Sequence, residues 1–189
     1  MKTVKTVKTV ITTTSNFVPR SIEFSNNGIL DSLTGAPAPK IFFDNLTREI
    51  SQSRRNSQPI AIVTIKLSSE DTENEIKSKR KIAKKLSATQ IAQKNLEFEK
   101  LLSLLSNNIK INMRGSDFYS RIAENGFWLC LQGDLLQGIS TARRFEKVIS
   151  EKFLTLSGKT NMEFSASEWI RDQDVNQWIA EIDRQYFTN

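Results

Sequence analysis

The chain has 189 residues and a net charge of +6, and its content of 38% hydrophobic and 25% charged residues is typical of a folded α/β or α-rich protein. It has no histidine, which excludes histidine-based acid–base catalysis, Ser-His-Asp triads and most zinc sites. The single cysteine, Cys130, lies in an apolar segment, so disulfides and cysteine-based metal sites are also excluded and a reducing, cytoplasmic setting is expected.

Residues 1–28 are predicted to be a flexible tail and lead-in. They begin with a Lys-Thr-Val repeat of period three, which matches neither the alternation of a strand nor one face of a helix. Asn27-Gly28 and Gly35 indicate that the extended lead-in ends in a turn. A single domain is predicted over residues 29–189.

The spacing of apolar residues predicts the elements of this domain. The apolar, β-branched run Ile60-Ala61-Ile62-Val63 is typical of a central strand that is covered on both faces. The order of elements predicts an α/β (α+β) sandwich, with a central mixed sheet that contains an antiparallel hairpin and is flanked by helices. The predicted elements are a helix over 40–55, a strand over 59–67, one or two helices over 69–109 with a break near residue 87, a hairpin of strands 118–122 and 127–131, a helix over 135–153, a strand over 161–170 and a helix over 174–187.

Much of the positive charge lies in the tail and in a basic run between residues 77 and 85. A basic run on a predicted helix is usually a solvated face, and the aromatic residues of a nucleic-acid stacking surface are missing between these charges. We therefore do not expect a nucleic-acid partner. No apolar run approaches the roughly 20 residues that cross a bilayer, so we expect a soluble protein without membrane insertion.

Four segments occur in the order known from one protein family. Residues 31–37 read Asp-Ser-Leu-Thr-Gly-Ala-Pro, which is similar to the Asp-x-Leu-Thr-Gly-Leu-Pro motif of GGDEF domains, the diguanylate cyclases that condense two GTP into cyclic di-GMP. Residues 58–67 resemble the family's first core strand, residues 114–122 its Arg-x-x-Asp segment and the next strand, and residues 180–187 its last helix. The resemblance implies a GGDEF/nucleotidyl-cyclase-like fold.

The signature motif of the family, Gly-Gly-Asp/Glu-Glu-Phe, falls on the hairpin and is degenerate here. In the family the glycines let the backbone approach the guanine nucleotide, and the acidic residue supports a divalent metal ion that organises the triphosphate. In this chain the acidic position is the neutral Asn125, and the side chain of Glu124 replaces a hydrogen atom in the tight turn. The five matching positions are Ala123, Glu124, Asn125, Gly126 and Phe127, of which only the phenylalanine is kept.

A second metal position is also changed. The resemblance places an aspartate ligand at the end of the first core strand, where this chain has Lys66. A positive charge there repels a cation, so the resemblance implies that the chain has no metal, no other cofactor and no cyclase activity. As an alternative, Lys66 holds a phosphate directly, as lysine does in other nucleotide sites; otherwise it is solvated or ion-paired, with Glu124 as the expected partner.

The segment Arg114-Gly-Ser-Asp117 matches the family's inhibitory Arg-x-x-Asp site, where cyclic di-GMP binds. An arginine can grip a phosphate or the guanine Hoogsteen edge through two hydrogen bonds, and an aspartate can accept hydrogen bonds from guanine. Arg143 or Arg144 is a candidate for a second arginine. The alternative is a purely structural turn, in which Asp117 caps backbone amides and Arg114 is simply exposed.

Three functions remain open from the sequence. The first is a catalytically inactive GGDEF-like domain that acts as a regulatory or protein-interaction module, with another protein or a second copy of the chain as its partner. The second is a cyclic di-GMP receptor that uses Arg114 and Asp117. The third is an active cyclase with unusual ligands, which product formation from GTP and Mg²⁺ would reveal.

Overall fold

The computed structural model describes residues 6–11, 24–68, 87–153 and 161–187. These residues form five strands and four helices. In chain order the elements are β1 (Thr6–Ile11), α1 (Pro39–Asn56), β2 (Ile60–Ser68), α2 (Ala88–Asn112), β3 (Phe118–Ala123), β4 (Gly126–Gln132), α3 (Leu135–Phe153), β5 (Asn161–Trp169) and α4 (Val175–Phe187).

The five strands form one sheet in the order β1-β5-β2-β4-β3. The predicted sandwich, with an antiparallel hairpin and flanking helices, is confirmed. The sheet is not mixed as predicted, however, because all four described pairings are antiparallel. Helix α3 joins β4 to β5, and these two strands run in the same direction, but β2 lies between them, so no parallel pair forms.

Helices cover both faces of the sheet, and each face has its own apolar core. On one face α2 and α3 pack on the sheet through buried residues such as Leu102, Phe145 and Ile149. On the other face α1 and α4 contribute Phe42 and Trp178. Strand β2 is buried against both cores, as its apolar run predicts.

Gly138 lets α3 lie close to the sheet. A Cβ atom added at this position would be 3.3 Å from the Cβ atoms of both Ala61 and Ala166, which lie on β2 and β5. Those contacts are tight because two alanines already form the surface beneath the helix. The close approach lets α3 pack directly on β2 and β5.

The prediction that the Lys-Thr-Val repeat is a flexible tail is wrong for residues Thr6–Ile11. These six residues form β1, the edge strand that pairs with β5 along its whole length. Threonine, valine and isoleucine favour extended backbone, and an edge strand is held by its backbone ladder, so alternating side chains are not required. The predictions for residues 1–5 and 12–23, and for the first part of the long helical segment (69–86), concern residues outside the described ranges. The domain boundary at residue 29 stays a prediction.

The lead-in ends in an ordered turn, as predicted. Leu30 bridges Pro37, and Gly35 adopts a left-handed φ of 64°, which favours glycine. The side chain of Asn27 accepts hydrogen bonds from the backbone amides of Ile29 and Leu30, at 2.9 Å and 2.8 Å. Of the helices that the structure describes, none has the length and apolar character needed to span a membrane.

Candidate functional site

The five residues that the resemblance matches to the family's signature motif lie at the tip of the β3–β4 hairpin. Glu124 and Asn125 form a two-residue turn between Ala123 and Gly126, which pair across the strands. Glu124 is exposed, whereas Phe127 is fully buried in the core beneath α2 and α3. Phe127, which the resemblance matches to the signature phenylalanine, is therefore a core residue, and Glu124 and Asn125 form the tip itself.

Asn125 ties the hairpin tip to the end of β2. Its Nδ2 donates a hydrogen bond to the carbonyl of Leu67 at 2.7 Å, and the backbone amide of Leu67 donates to the carbonyl of Asn125 at 2.8 Å. A carboxylate at this position could accept hydrogen bonds but could not donate to the Leu67 carbonyl. The asparagine therefore makes a contact that the family's acidic residue could not make in its ionised form.

Lys66 lies next to this contact, so the structure brings together the two positions that the resemblance assigns to metal ligands. On β2, Lys66 pairs with Gly126 of β4 on one side and lies opposite Glu163 of β5 on the other. Opposite charges that face each other across an antiparallel pair are stabilising. Glu163 is thus a neighbour that sequence reasoning missed, and the expected pairing with Glu124 stays a prediction.

The described acidic side chains near this tip, such as Glu124 and Glu163, do not form a cluster that could hold a metal ion. In the part of the chain that the structure describes, no three acidic, histidine or cysteine side chains lie close enough together to hold a metal ion. The two positions that the resemblance assigns to a metal instead carry one positive charge and one amide. This donor set does not fit Mg²⁺, which prefers carboxylate and phosphate oxygens.

A buried ion pair lies directly beneath the hairpin tip. Arg121 of β3 donates from Nη1 to both carboxylate oxygens of Asp31, at 2.9 Å and 3.1 Å, and neither side chain is exposed. Its Nη2 also donates to the carbonyl of Glu124 at 2.6 Å, and its guanidinium lies over the ring of Phe24 at 5.2 Å. Burial lowers the pKa of Arg121 from its usual value, while the charge of Asp31 opposes that shift.

The same aspartate also organises the lead-in turn. Asp31 Oδ1 accepts hydrogen bonds from the amide of Thr34 at 2.7 Å and from its hydroxyl at 2.6 Å. The Asp-x-Leu-Thr motif thus connects the lead-in to the hairpin through Arg121. Sequence reasoning missed this pair, and the one available signal was the charge of Arg121 within a strand.

Arg114 and Asp117 form a short turn before β3. The amide of Asp117 donates to the carbonyl of Arg114 at 3.1 Å, and the amide of Arg114 approaches Oδ2 of Asp117 at 3.4 Å. Arg114 is exposed and Asp117 is half-buried. These local contacts are those of the structural turn described as an alternative from the sequence.

The turn also borders a cavity of about 100 Å³. Arg114 and Asp117 line it together with Arg144, which α3 supplies, and with polar side chains that include Gln137 and Thr141. Arg144 donates from Nη2 to the carbonyl of Asn112 at 3.1 Å, a bond that fixes its guanidinium beside the end of α2. Of the two candidate second arginines, Arg144 lines the cavity and Arg143 does not.

No protein-family model and no curated protein matches the chain. Solved structures do match it. The GGDEF domain of DgcB from Caulobacter crescentus, in complex with cyclic di-GMP, has a TM-score of 0.61 at 12% identity and covers 89% of this chain and 91% of its own. A microbial GGDEF domain with cyclic di-GMP has a TM-score of 0.60 at 9% identity, over 85% of this chain and 89% of that one.

The fold of this chain is that of a GGDEF domain. The structure of the diguanylate cyclase SiaD from Pseudomonas aeruginosa, in complex with its activator SiaC, is also similar to this chain. Its TM-score is 0.55 at 16% identity, over 84% of this chain and 56% of that one. The predicted resemblance is confirmed at the level of the fold. Within this fold the segment Ala123–Phe127 lies at the hairpin tip, beside Lys66.

Proposed function

We propose that this chain is a catalytically inactive GGDEF-like domain that acts as a regulatory or protein-interaction module in cyclic di-GMP signalling. The observation that carries the proposal is the hydrogen bond from Asn125 to the carbonyl of Leu67, directly beside Lys66. The amide nitrogen of Asn125 points at β2 and serves the fold. Neither position offers a carboxylate to a metal ion.

Electrostatics argue in the same direction. A cation at the end of β2 would meet the charge of Lys66, and two unit charges about 4 Å apart interact by about 4 kcal/mol near a protein surface. The triphosphate of GTP needs Mg²⁺ to offset its charge during phosphoryl transfer. A lysine that contacted the phosphates could replace part of that charge, but it could not activate the attacking ribose hydroxyl as a metal ion does.

A product assay tests the inactivity. The full chain is incubated with GTP and Mg²⁺, or GTP and Mn²⁺, and cyclic di-GMP is measured by chromatography with SiaD as the positive control. We expect no product above the level without protein. Product formation that Lys66→Ala abolishes would instead support the active cyclase with unusual ligands and would overturn the proposal.

Binding to another protein is the expected role of an inactive module. SiaD is a protein of this fold that was solved with a protein activator, which supports a protein partner for this chain. A second copy of the chain is the alternative partner. Light scattering across a range of concentrations distinguishes them, because a homodimer gives twice the monomer mass without any added protein.

A second candidate function is a cyclic di-GMP receptor, and the cavity beside the Arg-x-x-Asp turn favours it. Arg114 from the turn before β3 and Arg144 from α3 both line it, together with Asp117. Two guanidinium groups suit an anionic diester, and the aspartate can accept from the guanine N1 and N2 hydrogens. The DgcB domain, which has the same fold, was solved with this ligand.

Calorimetry with a matched control tests the receptor. The chain is titrated with cyclic di-GMP, and Arg114→Ala is compared with Arg143→Ala, which removes an exposed arginine that does not line the cavity. We expect a receptor to bind with micromolar affinity, to lose the heat in Arg114→Ala and to keep it in Arg143→Ala. Equal effects of the two variants would mean nonspecific attraction, and no heat from the parent chain would exclude the receptor.

A further inference from the structure

The sequence contains the dipeptide Asn-Gly twice, and the structure holds the two copies differently. The copies are Asn27-Gly28, in the lead-in turn, and Asn125-Gly126, at the hairpin tip. In this dipeptide the backbone amide nitrogen of the glycine can attack the side-chain carbonyl carbon of the asparagine, because glycine has no side chain to hinder the approach. The surroundings of each copy therefore decide whether it reacts.

Asn27 and Gly28 lie in a turn that is open to solvent. Both residues are exposed, and a Cβ atom added to Gly28 would meet nothing within 4 Å. Gly28 has a φ of 85°, in the left-handed region that glycine enters without steric cost. Its amide donates to Oδ1 of the exposed Asn26 at 3.0 Å, a contact that water can replace. Solvent can therefore reach the attacking nitrogen and remove its proton.

The side-chain carbonyl of Asn27 is polarised for attack. Its Oδ1 accepts hydrogen bonds from the backbone amides of Ile29 and Leu30, at 2.9 Å and 2.8 Å. When the glycine nitrogen adds to the carbonyl carbon, negative charge develops on this oxygen, and N–H donors aimed at it stabilise that charge. Both bonds are made by the oxygen that stays in the product, and not by the Nδ2 atom that leaves.

At the hairpin tip the same dipeptide is held by the sheet. Nδ2 of Asn125, the leaving group, donates to the carbonyl of Leu67 at 2.7 Å. The carbonyl of Asn125, in the same peptide unit as the Gly126 amide, accepts from the amide of Leu67 at 2.8 Å. Gly126 is buried and pairs with Ala123 on β3 and with Lys66 on β2. Attack at this site requires that the tip first separates from β2.

We propose that Asn27 is a site of spontaneous deamidation in the folded protein, and that the sheet protects Asn125 from the same reaction. Solvent removes the proton of the Gly28 amide, whose nitrogen then forms a bond to Cγ of Asn27. The Cγ–Nδ2 bond breaks, and the side-chain nitrogen takes up a proton and leaves as ammonia. Water hydrolyses the resulting cyclic imide at either carbonyl, which gives aspartate or isoaspartate at position 27. Water is the co-reactant, and the reaction needs no oxidant.

The two products differ in their effect on the lead-in turn. An aspartate at position 27 keeps an oxygen that can accept from the amides of Ile29 and Leu30. An isoaspartate lengthens the backbone by one methylene group in the turn that the bridge between Asn26 and Asp31 closes. Because Asp31 pairs with Arg121, isoaspartate should weaken the connection between the lead-in and the hairpin.

Peptide mapping by mass spectrometry tests the proposal, with the second dipeptide as the matched control. The full chain is incubated at mildly alkaline pH in heavy-oxygen water and then digested with pepsin at acidic pH, where deamidation is slow. Hydrolysis of the imide incorporates one solvent oxygen, which marks product formed during the incubation. We expect Asn27 to deamidate at least about tenfold faster than Asn125, because reaction at the tip needs local opening.

A chain unfolded in guanidinium chloride supplies the reference. There the two sites should react at similar rates, and the incubation lasts until this reference has reacted. Equal rates in the folded chain, or a faster reaction at Asn125, would overturn the proposal, since the sheet would then give no protection. Labelled product at neither site of the folded chain would also overturn it, because the exposed turn would then protect Asn27 as well.

Discussion

Arg121 and Asp31 form an ion pair in which neither side chain is exposed, although 90 residues separate them in the chain. The pair joins the lead-in turn to the strand that carries the hairpin. Because Asp31 also accepts two hydrogen bonds from Thr34, its carboxylate is held from both sides. Two segments that are distant in sequence thus become one structural unit beneath the hairpin tip.

Arg121→Ala should strongly destabilise the fold. The change leaves the carboxylate of Asp31 buried without its counter-charge, and breaking a buried pair in this way lowers the free energy of unfolding by about 3–5 kcal/mol. Urea unfolding followed by tryptophan fluorescence measures the loss. Arg143→Ala removes an exposed arginine and should change stability by less than about 0.5 kcal/mol. Equal losses in the two variants would show that the ion pair does not stabilise the fold.

The helices and the central strand could be predicted from the sequence because their signals are local. Phe42, Leu46 and Ile50 recur at helical spacing and define α1, and the predicted 135–153 is also the extent of α3. Strand β1 was missed because a period of three matches neither local pattern. Its partner, β5, lies more than 150 residues away in the chain.

The chemistry of the hairpin tip was only partly predictable. Lys66 and Asn125 could be singled out from the sequence, because the resemblance matches them to the family's metal positions. The donor role of Asn125 could not, because it depends on the end of β2 meeting the tip. The Arg121–Asp31 pair and the cavity around Arg144 likewise depend on tertiary contacts, for which the sequence has no local signal.

Cys130 should make the stability of the fold depend on alkaline pH. Burial raises the pKa of its thiol well above the ordinary value, and the charges of Glu49 and Asp117 add to the rise. The unfolded thiol loses its proton from about pH 8.5, while the folded thiol keeps it, so the unfolded state gains stability as the pH rises. Relative to Cys130→Ala, the parent chain should lose about 2 kcal/mol between pH 7 and pH 10. Parallel pH profiles of the two proteins would contradict this.

Lys66 and Glu163 should show an energetic coupling across the strands. Lys66→Glu places two like charges opposite each other on β2 and β5 and should lower the free energy of unfolding by about 0.5–1 kcal/mol. The double variant Lys66→Glu/Glu163→Lys restores opposite charges and should recover most of that loss. A double-mutant cycle measured by urea unfolding at low salt gives the coupling. Strictly additive effects would mean that the two residues do not interact.

Asn125→Asp should restore the charge of the family's acidic position and weaken the fold. The ionised carboxylate cannot donate to the carbonyl of Leu67, and a buried acceptor left without its donor costs about 1–3 kcal/mol. Glu124→Gln, at the exposed neighbouring position, is the control and should change stability by less than about 0.5 kcal/mol. Protonation gives the introduced carboxyl a hydrogen to donate, which raises its pKa in the folded state and makes the loss smaller as the pH falls toward 4. Urea unfolding of variant and parent at each pH measures this difference, and a loss that stays constant with pH would argue against the hydrogen bond as its cause. If the variant also gained no product from GTP and Mg²⁺, the amide at the tip would be a structural replacement that one acidic residue does not reverse.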